Sequence, residues 1–168
     1  MNPRIAGETF AQTSKIVLPN DTNVLANLMG GQLLSWMDIT AGISAQRHSR
    51  RVVVTASVNH VSFDQPIKLG DVVTIEAKVS RAFTSSMEVY LDVYVDLANG
   101  KKKKSNEAIY TFVAVDQNGS PIEVPELIAE TDLEKERYAG ALRRRQLSLI
   151  LAGKMKPEAA TELKALFG

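Results

Sequence analysis

The sequence predicts an α+β fold, one antiparallel sheet packed on a single long helix, and three observations carry that prediction. Residues 30–46 (GGQLLSWMDITAGISAQ) form an almost wholly apolar run, too long for a strand. The segments after it alternate apolar and polar residues with a period of two, most cleanly Met87, Val89, Leu91, Val93 and Val95 against Glu88, Tyr90, Asp92, Tyr94 and Asp96. Turn signals separate those segments: Lys68-Leu69-Gly70-Asp71, the hairpin pair Asn99-Gly100, and Gln117 to Pro121.

The elements follow in order. Thr9 to Leu18 reads as an edge strand, and Pro19 to Asn23 is rich in turn residues. Gly30-Gly31 opens the helix, which runs to about Gln46, with Arg47 and His48 suited to its C-terminal end. Strands follow at Val52 to Val61, with Thr55, Ser57 and Asn59 on one face, and at Val72 to Ser80, with Val73, Ile75, Ala77 and Val79 inward. Met87 to Leu97 and Ser105 to Val115 complete a meander. From Pro125 the composition shifts to helix formers and charge, with a helix over Leu133 to Leu151 and a short one over Pro157 to Phe167. The expected division is a sheet-and-helix domain over 1–125 and a C-terminal helical extension over 126–168. A helix apolar on nearly every side cannot lie on the surface of a monomer, so homodimerisation is expected.

Composition narrows the chemistry. A 168-residue chain that is 45% hydrophobic can bury a sizeable core. A net charge of +1 provides no global field aimed at nucleic acid. The absence of cysteine excludes disulfides, thiolate catalysis and a Cys-ligated zinc. His48 and His60 are the only histidines and have no partner at metal-ligand spacing, so no metal is expected. The opening MNPRIAGETFAQ shows no apolar signal-type run, and no segment approaches the length of a membrane span. The expectation is a cytoplasmic protein with no membrane partner.

One carboxylate, Asp38, stands inside the apolar helix. Its helical neighbours Leu34, Ser35, Ala41 and Gly42 are small or apolar, so the acid should face packed structure. Read blandly, it bonds backbone amides of a neighbour; read functionally, it is a general base or nucleophile. Gly30-Gly31 lets a ligand approach free amides at a helix start, where an oxyanion is stabilised. Asn23, in the loop before the glycines, suits a turn or cap and equally offers an amide to orient water or hold a carbonyl. Asp38 lies roughly 10 Å along the axis from Gly31. That gap is resolved if Asn23 and the glycine amides come from one subunit and Asp38 from another.

The ordered motifs DTN, GGQLLSWMD, AxRH, VVTASVNHVSF and LGDVVTIEAKVSRAFTSSMEV resemble the acyl-CoA thioesterases of the hot-dog fold, over roughly residues 8 to 125. The likeness is to the acyl-CoA hydrolase subgroup that includes the cytosolic and brown-fat-type enzymes. It implies a curved sheet wrapped round one helix, and hydrolysis of fatty acyl-CoA with coenzyme A as substrate moiety and product and with no cofactor required. It also implies a dimer as active unit, assembled as a trimer of dimers. The catalytic positions land on Asn23, Asp38, Gly30 and Gly31. Coenzyme-contacting positions land on Thr55, Ala56, Ser57, Thr84, Ser85 and Ser86, and more loosely on Arg144. Arg81 joins them as part of a polar break between strands that could meet phosphate. A non-catalytic acyl-CoA sensor on the same fold is the alternative reading. A dehydratase acting on carrier-protein thioesters ranks lower, since no histidine precedes His48 in the helix. Lys101 to Lys104 and Arg143 to Arg145 suit a solvated loop and a helix end, and could also attract coenzyme phosphates.

Overall fold

The computed structural model describes residues 1–63 and 65–168. In chain order the elements are β1 (Arg4–Ile5), β2 (Ala11–Ile16), α1 (Gly30–Ser49), β3 (Val52–Asn59), β4 (Val72–Ala82), β5 (Ser86–Asp96), β6 (Lys102–Val115), β7 (Leu127–Ile128), α2 (Asp132–Leu151) and α3 (Thr161–Lys164). Five strands form one antiparallel sheet in the order β2-β4-β5-β6-β3, and α1 lies across its inner face. This is the α+β arrangement the sequence predicts. β1 and β7 pair in parallel, two residues each, and are too short to leave a periodic signal. Among the described residues no helix is long and apolar enough to cross a membrane.

Alternation decides which side chains make the core. Val73, Ile75, Ala77 and Val79 of β4, and Met87, Val89, Leu91 and Val93 of β5, are all buried against α1. From α1 come Leu33, Trp36, Met37, Ala41 and Ala45, which gather on one face at helical spacing. A second α1 stripe stays uncovered. Gly31, Ser35, Ile39 and Ile43 run along it with the half-exposed Asp38 and Gly42. The helix is therefore two-sided: one stripe meets the sheet, and the other is small and apolar yet open.

Several predicted boundaries move. α1 runs three residues past Gln46 and ends where Arg50, with φ of 57°, takes a left-handed conformation. The segment read as one helix over Pro157 to Phe167 breaks into a 3-10 turn, Pro157–Ala159, and a single α turn, α3. The Lys101 to Lys104 run is mostly strand, and Lys104 is ion-paired with Asp92 at 2.8 Å as well as with Glu107. His60 lies just past β3 with φ of 57°.

One correction bears on the site. The pairing of β3 with β6 slips between Thr55 and Ser57, leaving Ala56 as a bulge. A bulge adds one residue to one strand, so simple alternation fails across it. Thr55 points inward to α1, whereas Ser57 and Asn59 line a groove on the outer face. The three do not share a face.

The outer face carries Glu88, Tyr90 and Asp92, and α2 covers it. Thr131 and Glu134 cap its start reciprocally, the Glu134 amide donating to the Thr131 hydroxyl at 3.1 Å and the Thr131 amide to Glu134 at 3.1 Å. Arg137 donates to both oxygens of Asp92, at 2.8 and 2.9 Å. Arg144 does the same to Glu88, at 2.7 and 3.0 Å. The Tyr90 ring lies beneath both guanidinium groups, 3.8 Å from that of Arg137 and 5.6 Å from that of Arg144.

Candidate active site

Asp38 sits midway along α1 on its uncovered stripe. The Thr55 hydroxyl donates to Asp38 Oδ1 at 2.6 Å. That contact spans α1 and β3 and exists because the bulge at Ala56 leaves Thr55 facing the helix. Within one chain the carboxylate is half-exposed, so it is less enclosed than its apolar neighbours predict. Leu33, Trp36 and Met37 are buried toward the sheet, and Asp38 lies at the edge of that face, within reach of Thr55 yet bordering the open stripe. Its second oxygen has no hydrogen-bond partner among the described residues.

Next along the site is Tyr110 on β6. Its ring is 1% exposed, and its hydroxyl donates to the Leu34 carbonyl at 2.9 Å. Burial, and secondarily the Asp38 charge, push its pKa up to about 12, so it stays a neutral phenol at all ordinary pH.

Asn23 shapes the loop before α1. Its backbone amide donates to the Asn27 carbonyl at 2.8 Å, and its Oδ1 accepts from the amides of Leu25, at 2.9 Å, and Asn27, at 3.2 Å. Backbone amides only donate, so the side-chain oxygen is the atom turned into the loop. The Nδ2 amino group remains, and Asn23 can act toward a ligand only as a donor. Val24 and Leu25 form a fully exposed tip beside it.

The α1 N-terminus is built by residues that sequence reasoning passed over. Asp21 accepts from Leu18 N at 2.9 Å and from Gln32 Nε2 at 3.1 Å, and its carbonyl accepts from Met29 N at 2.9 Å. It ties the incoming chain to the first helical turn, and the quoted DTN motif begins on it. The first two helical amides, Gly30 and Gly31, have no acceptor among the described residues. The two glycines do different work. A Cβ on Gly30 would come within 3.3 Å of the Phe63 ring, whereas one on Gly31 would meet nothing within 4 Å. Gly30 allows Phe63 to close over the helix start; Gly31 leaves a free amide beside open space.

The predicted coenzyme positions divide. Ala56, Ser57, Ser85, Ser86 and Arg144 border one outer groove of about 480 Å³, between β3, β6 and the C-terminal half of α2. Thr55 belongs with Asp38 instead. Arg81 donates to the Tyr138 carbonyl at 3.3 Å with its guanidinium 4.3 Å from the Tyr138 ring, so it fastens α2. Thr84 is exposed in the β4–β5 turn, its carbonyl accepting from Val124 N at 3.0 Å. Arg144 has its guanidinium committed to Glu88 and to the Arg137 carbonyl. The neighbouring Arg145 has no carboxylate partner among the described residues; it donates to Ser86 Oγ at 3.1 Å and lies 4.4 Å from the Phe83 ring.

A sheet curled round one helix, with an acid and a pair of helix-start amides on the helix's open stripe, invites comparison with known proteins. The model of the thioesterase superfamily matches residues 25–96. An acyl-CoA thioester hydrolase of Bacillus subtilis is 41% identical over 141 residues, 80% of this chain and 82% of that protein. The chain belongs to the hot-dog acyl-CoA thioesterases. Acyl-coenzyme A thioesterase 11 of mouse is 42% identical over 88% of this chain but only 25% of its own length. The cytosolic acyl coenzyme A thioester hydrolase of rat is 35% identical over 82% of this chain and 38% of its own length. The chain thus spans a quarter to two fifths of these longer mammalian members.

Solved members agree in fold. The acyl-CoA hydrolase of Staphylococcus aureus, in complex with butyryl coenzyme A and coenzyme A, superposes with a TM-score of 0.84 at 37% identity, covering 90% of this chain and 96% of that one. A hexameric acyl-CoA thioesterase gives 0.86 at 33% identity, covering 90% and 98%. Further structures of the S. aureus enzyme have an aspartate, an asparagine or a threonine replaced by alanine.

Proposed function

We propose that this chain hydrolyses the thioester bond of acyl-CoA, releasing free acid and coenzyme A, as a cytoplasmic homo-oligomer whose site is completed across a dimer interface. The observation that carries this reading is the pairing of Asp38 with Thr55 on an open, small-residue stripe of α1, with donor groups at the start of the same helix that have no acceptor among the described residues. Within one chain those donors lie about 10 Å from the acid. A second α1 laid antiparallel on the stripe brings the acid of each to the amides of the other. The exposed Ile39, Ile43, Val54, Val58, Val24 and Leu25 supply the apolar surface that such a contact covers. Three replaced residues in the S. aureus enzyme stand at the same intervals as Asn23, Asp38 and Thr55 here, which supports treating the three as one unit. The name of the rat relative supports the cytoplasmic placement, and the hexameric relatives support assembly as a trimer of dimers.

In this reading the acyl carbonyl oxygen sits against the amides of Gly30 and Gly31 and the Nδ2 group of Asn23. Thr55 holds one Asp38 oxygen, and the other takes a proton from water as that water attacks the carbonyl carbon. The negative charge that develops on the carbonyl oxygen is met by donors already in place. Collapse re-forms the carbonyl, breaks the carbon–sulfur bond and expels the coenzyme thiolate, which takes up the proton. The outer groove offers Ser57, Ser86 and Arg145 to the polar end of the coenzyme.

A thiol-trapping assay on purified protein with acyl-CoA tests the reading. Release of free thiol that disappears in Asp38→Asn and falls more modestly in Asn23→Ala is the expected result. Tight binding of acyl-CoA without thiol release would make the protein a sensor and end the catalytic assignment.

A further inference from the structure

We propose that Tyr110 is a positioning residue for the hydrolysis, fixing the aim of Asp38 through the Leu34 carbonyl; the inference rests on the catalytic reading of Asp38. The inner face of β6 is otherwise apolar around it, with Ala108, Phe112 and Ala114 all buried. A phenylalanine would fill the same space without placing a hydroxyl where water cannot reach it. The hydroxyl is therefore the feature that needs a reason, because a buried phenol is costly unless bonded. Its partner is one particular helix carbonyl. Leu34 stands one turn before Asp38, and in an α-helix its carbonyl accepts from the Asp38 amide. Tyr110 adds a second donor to that oxygen at 2.9 Å.

Two adjacent strands thus grip one turn of α1. On β3, Thr55 holds the Asp38 carboxylate at 2.6 Å; on β6, Tyr110 holds the backbone that carries it. The two strands pair on both sides of the bulge at Ala56, Thr55 opposite Phe112 before it and Val58 opposite Tyr110 after it, so both grips arise from one hydrogen-bonded strand pair. Trp36 and Met37 of that turn are buried in the core, whereas the half-exposed Asp38 side chain borders the open stripe, and among the described residues Thr55 is the group that hydrogen-bonds it. Displacing a reacting group by a fraction of an ångström to an ångström is enough to cost about one to two orders of magnitude in rate.

The test compares Tyr110→Phe, Phe112→Leu and Asp38→Asn in the full chain, with butyryl-CoA as substrate. Thermal melting is recorded beside kcat, KM and the pH profile of kcat. Phe112 is the control because it is equally buried and stacks on Tyr110 with ring centres 6.3 Å apart. Tyr110→Phe should lower kcat about tenfold with KM changed less than about twofold, and should displace the acid limb of the profile. Phe112→Leu should lower the melting temperature and leave kcat and the profile of the folded protein in place. Wild-type kcat and profile in Tyr110→Phe, or an equal fall in Phe112→Leu, would overturn the inference. If Asp38→Asn is inactive in the first of those cases, the proposed function survives; if Asp38→Asn turns over normally, the catalytic reading falls and this inference with it.

Discussion

α1 and α2 are each 20 residues long and cover opposite faces of the same sheet, yet different forces hold them. The inner face meets α1 through side chains with no charge. Met87, Val89, Leu91 and Val93 are fully buried there. The outer face, one residue out of phase on the same strand, meets α2 through Glu88 and Asp92, each bound in bidentate fashion by an arginine. Hydrophobic burial is undirected and insensitive to salt and pH, so it suits the helix that must anchor the fold. Charge-assisted hydrogen bonds are directional and depend on ionisation, so they set the register of a helix added to a finished sheet. The helix anchored by apolar burial is also the one that presents the candidate acid.

Substitutions on the two faces should differ in kind. Asp38→Ala, on the open stripe of α1, should lower turnover about a thousandfold or more while melting and assembly state persist, as read by thiol release and sizing. A variant that stays fully active removes chemistry from α1 and leaves it a purely structural helix. Within the sheet, Leu91→Ala should cost about 3 kcal/mol in urea unfolding at any salt concentration. Its immediate neighbour supplies the contrast: Asp92→Ala should cost about 2 kcal/mol at low salt and less at high salt. Equal salt dependence for the two would dissolve the distinction between the faces.

Acid should act first on the outer face. Burial alone would raise the pKa of Asp92, but hydrogen bonds from Arg137 and Lys104 outweigh it and hold the carboxyl below its usual range. Glu134 is likewise held low against its burial, by Lys78 and by the amides of residues 130 and 131. Depressed carboxyl pKa values contribute stability that is complete above the unfolded-state values and is lost as pH falls from about 4 through the folded ones. The acid transition of wild-type protein should therefore lose its steepest part in Asp92→Ala.

The smallest expected effect lies at the end of α1. His48 is fully buried, with Nε2 donating to the Pro125 carbonyl at 2.7 Å, and burial lowers its pKa. Because the unfolded chain then takes up a proton before the folded one does, stability should decline gently as pH drops below about 6.5. That slope should flatten in His48→Gln when unfolding midpoints are compared at pH 7.5 and 5.5.

The legible parts of this molecule are those with a short period. The inward sets of β4 and β5 follow from alternation alone, since side chains of a strand must point to opposite faces. Asn99-Gly100 gives its hairpin, with Gly100 at φ of 80°. The ordered motifs place the chain in its family. The bulge at Ala56 was not legible, because nothing local distinguishes a residue that pairs from one that is skipped. That one extra residue separates Thr55, which holds Asp38, from Ser57, which faces the outer groove. The arginines show the same limit. Residues 143–145 are identical in type, yet Arg144 is consumed by Glu88 while Arg145 faces Ser86. Rotation about a helix axis by one position is enough to exchange those roles.

Composition and period alone thus settle the sheet, the long helix, the identity of the core and the presence of an acid where acids are rare, because each depends on neighbours close in the chain. Which group touches that acid is settled by contacts between distant segments: Thr55 from a bulged edge strand, Tyr110 from the strand beside it, and Asp21 fastening the loop that carries Asn23. Such contacts depend on strand register and helix rotation, which are set only when the whole sheet closes on α1 and a shift of one residue has a cost on every strand at once.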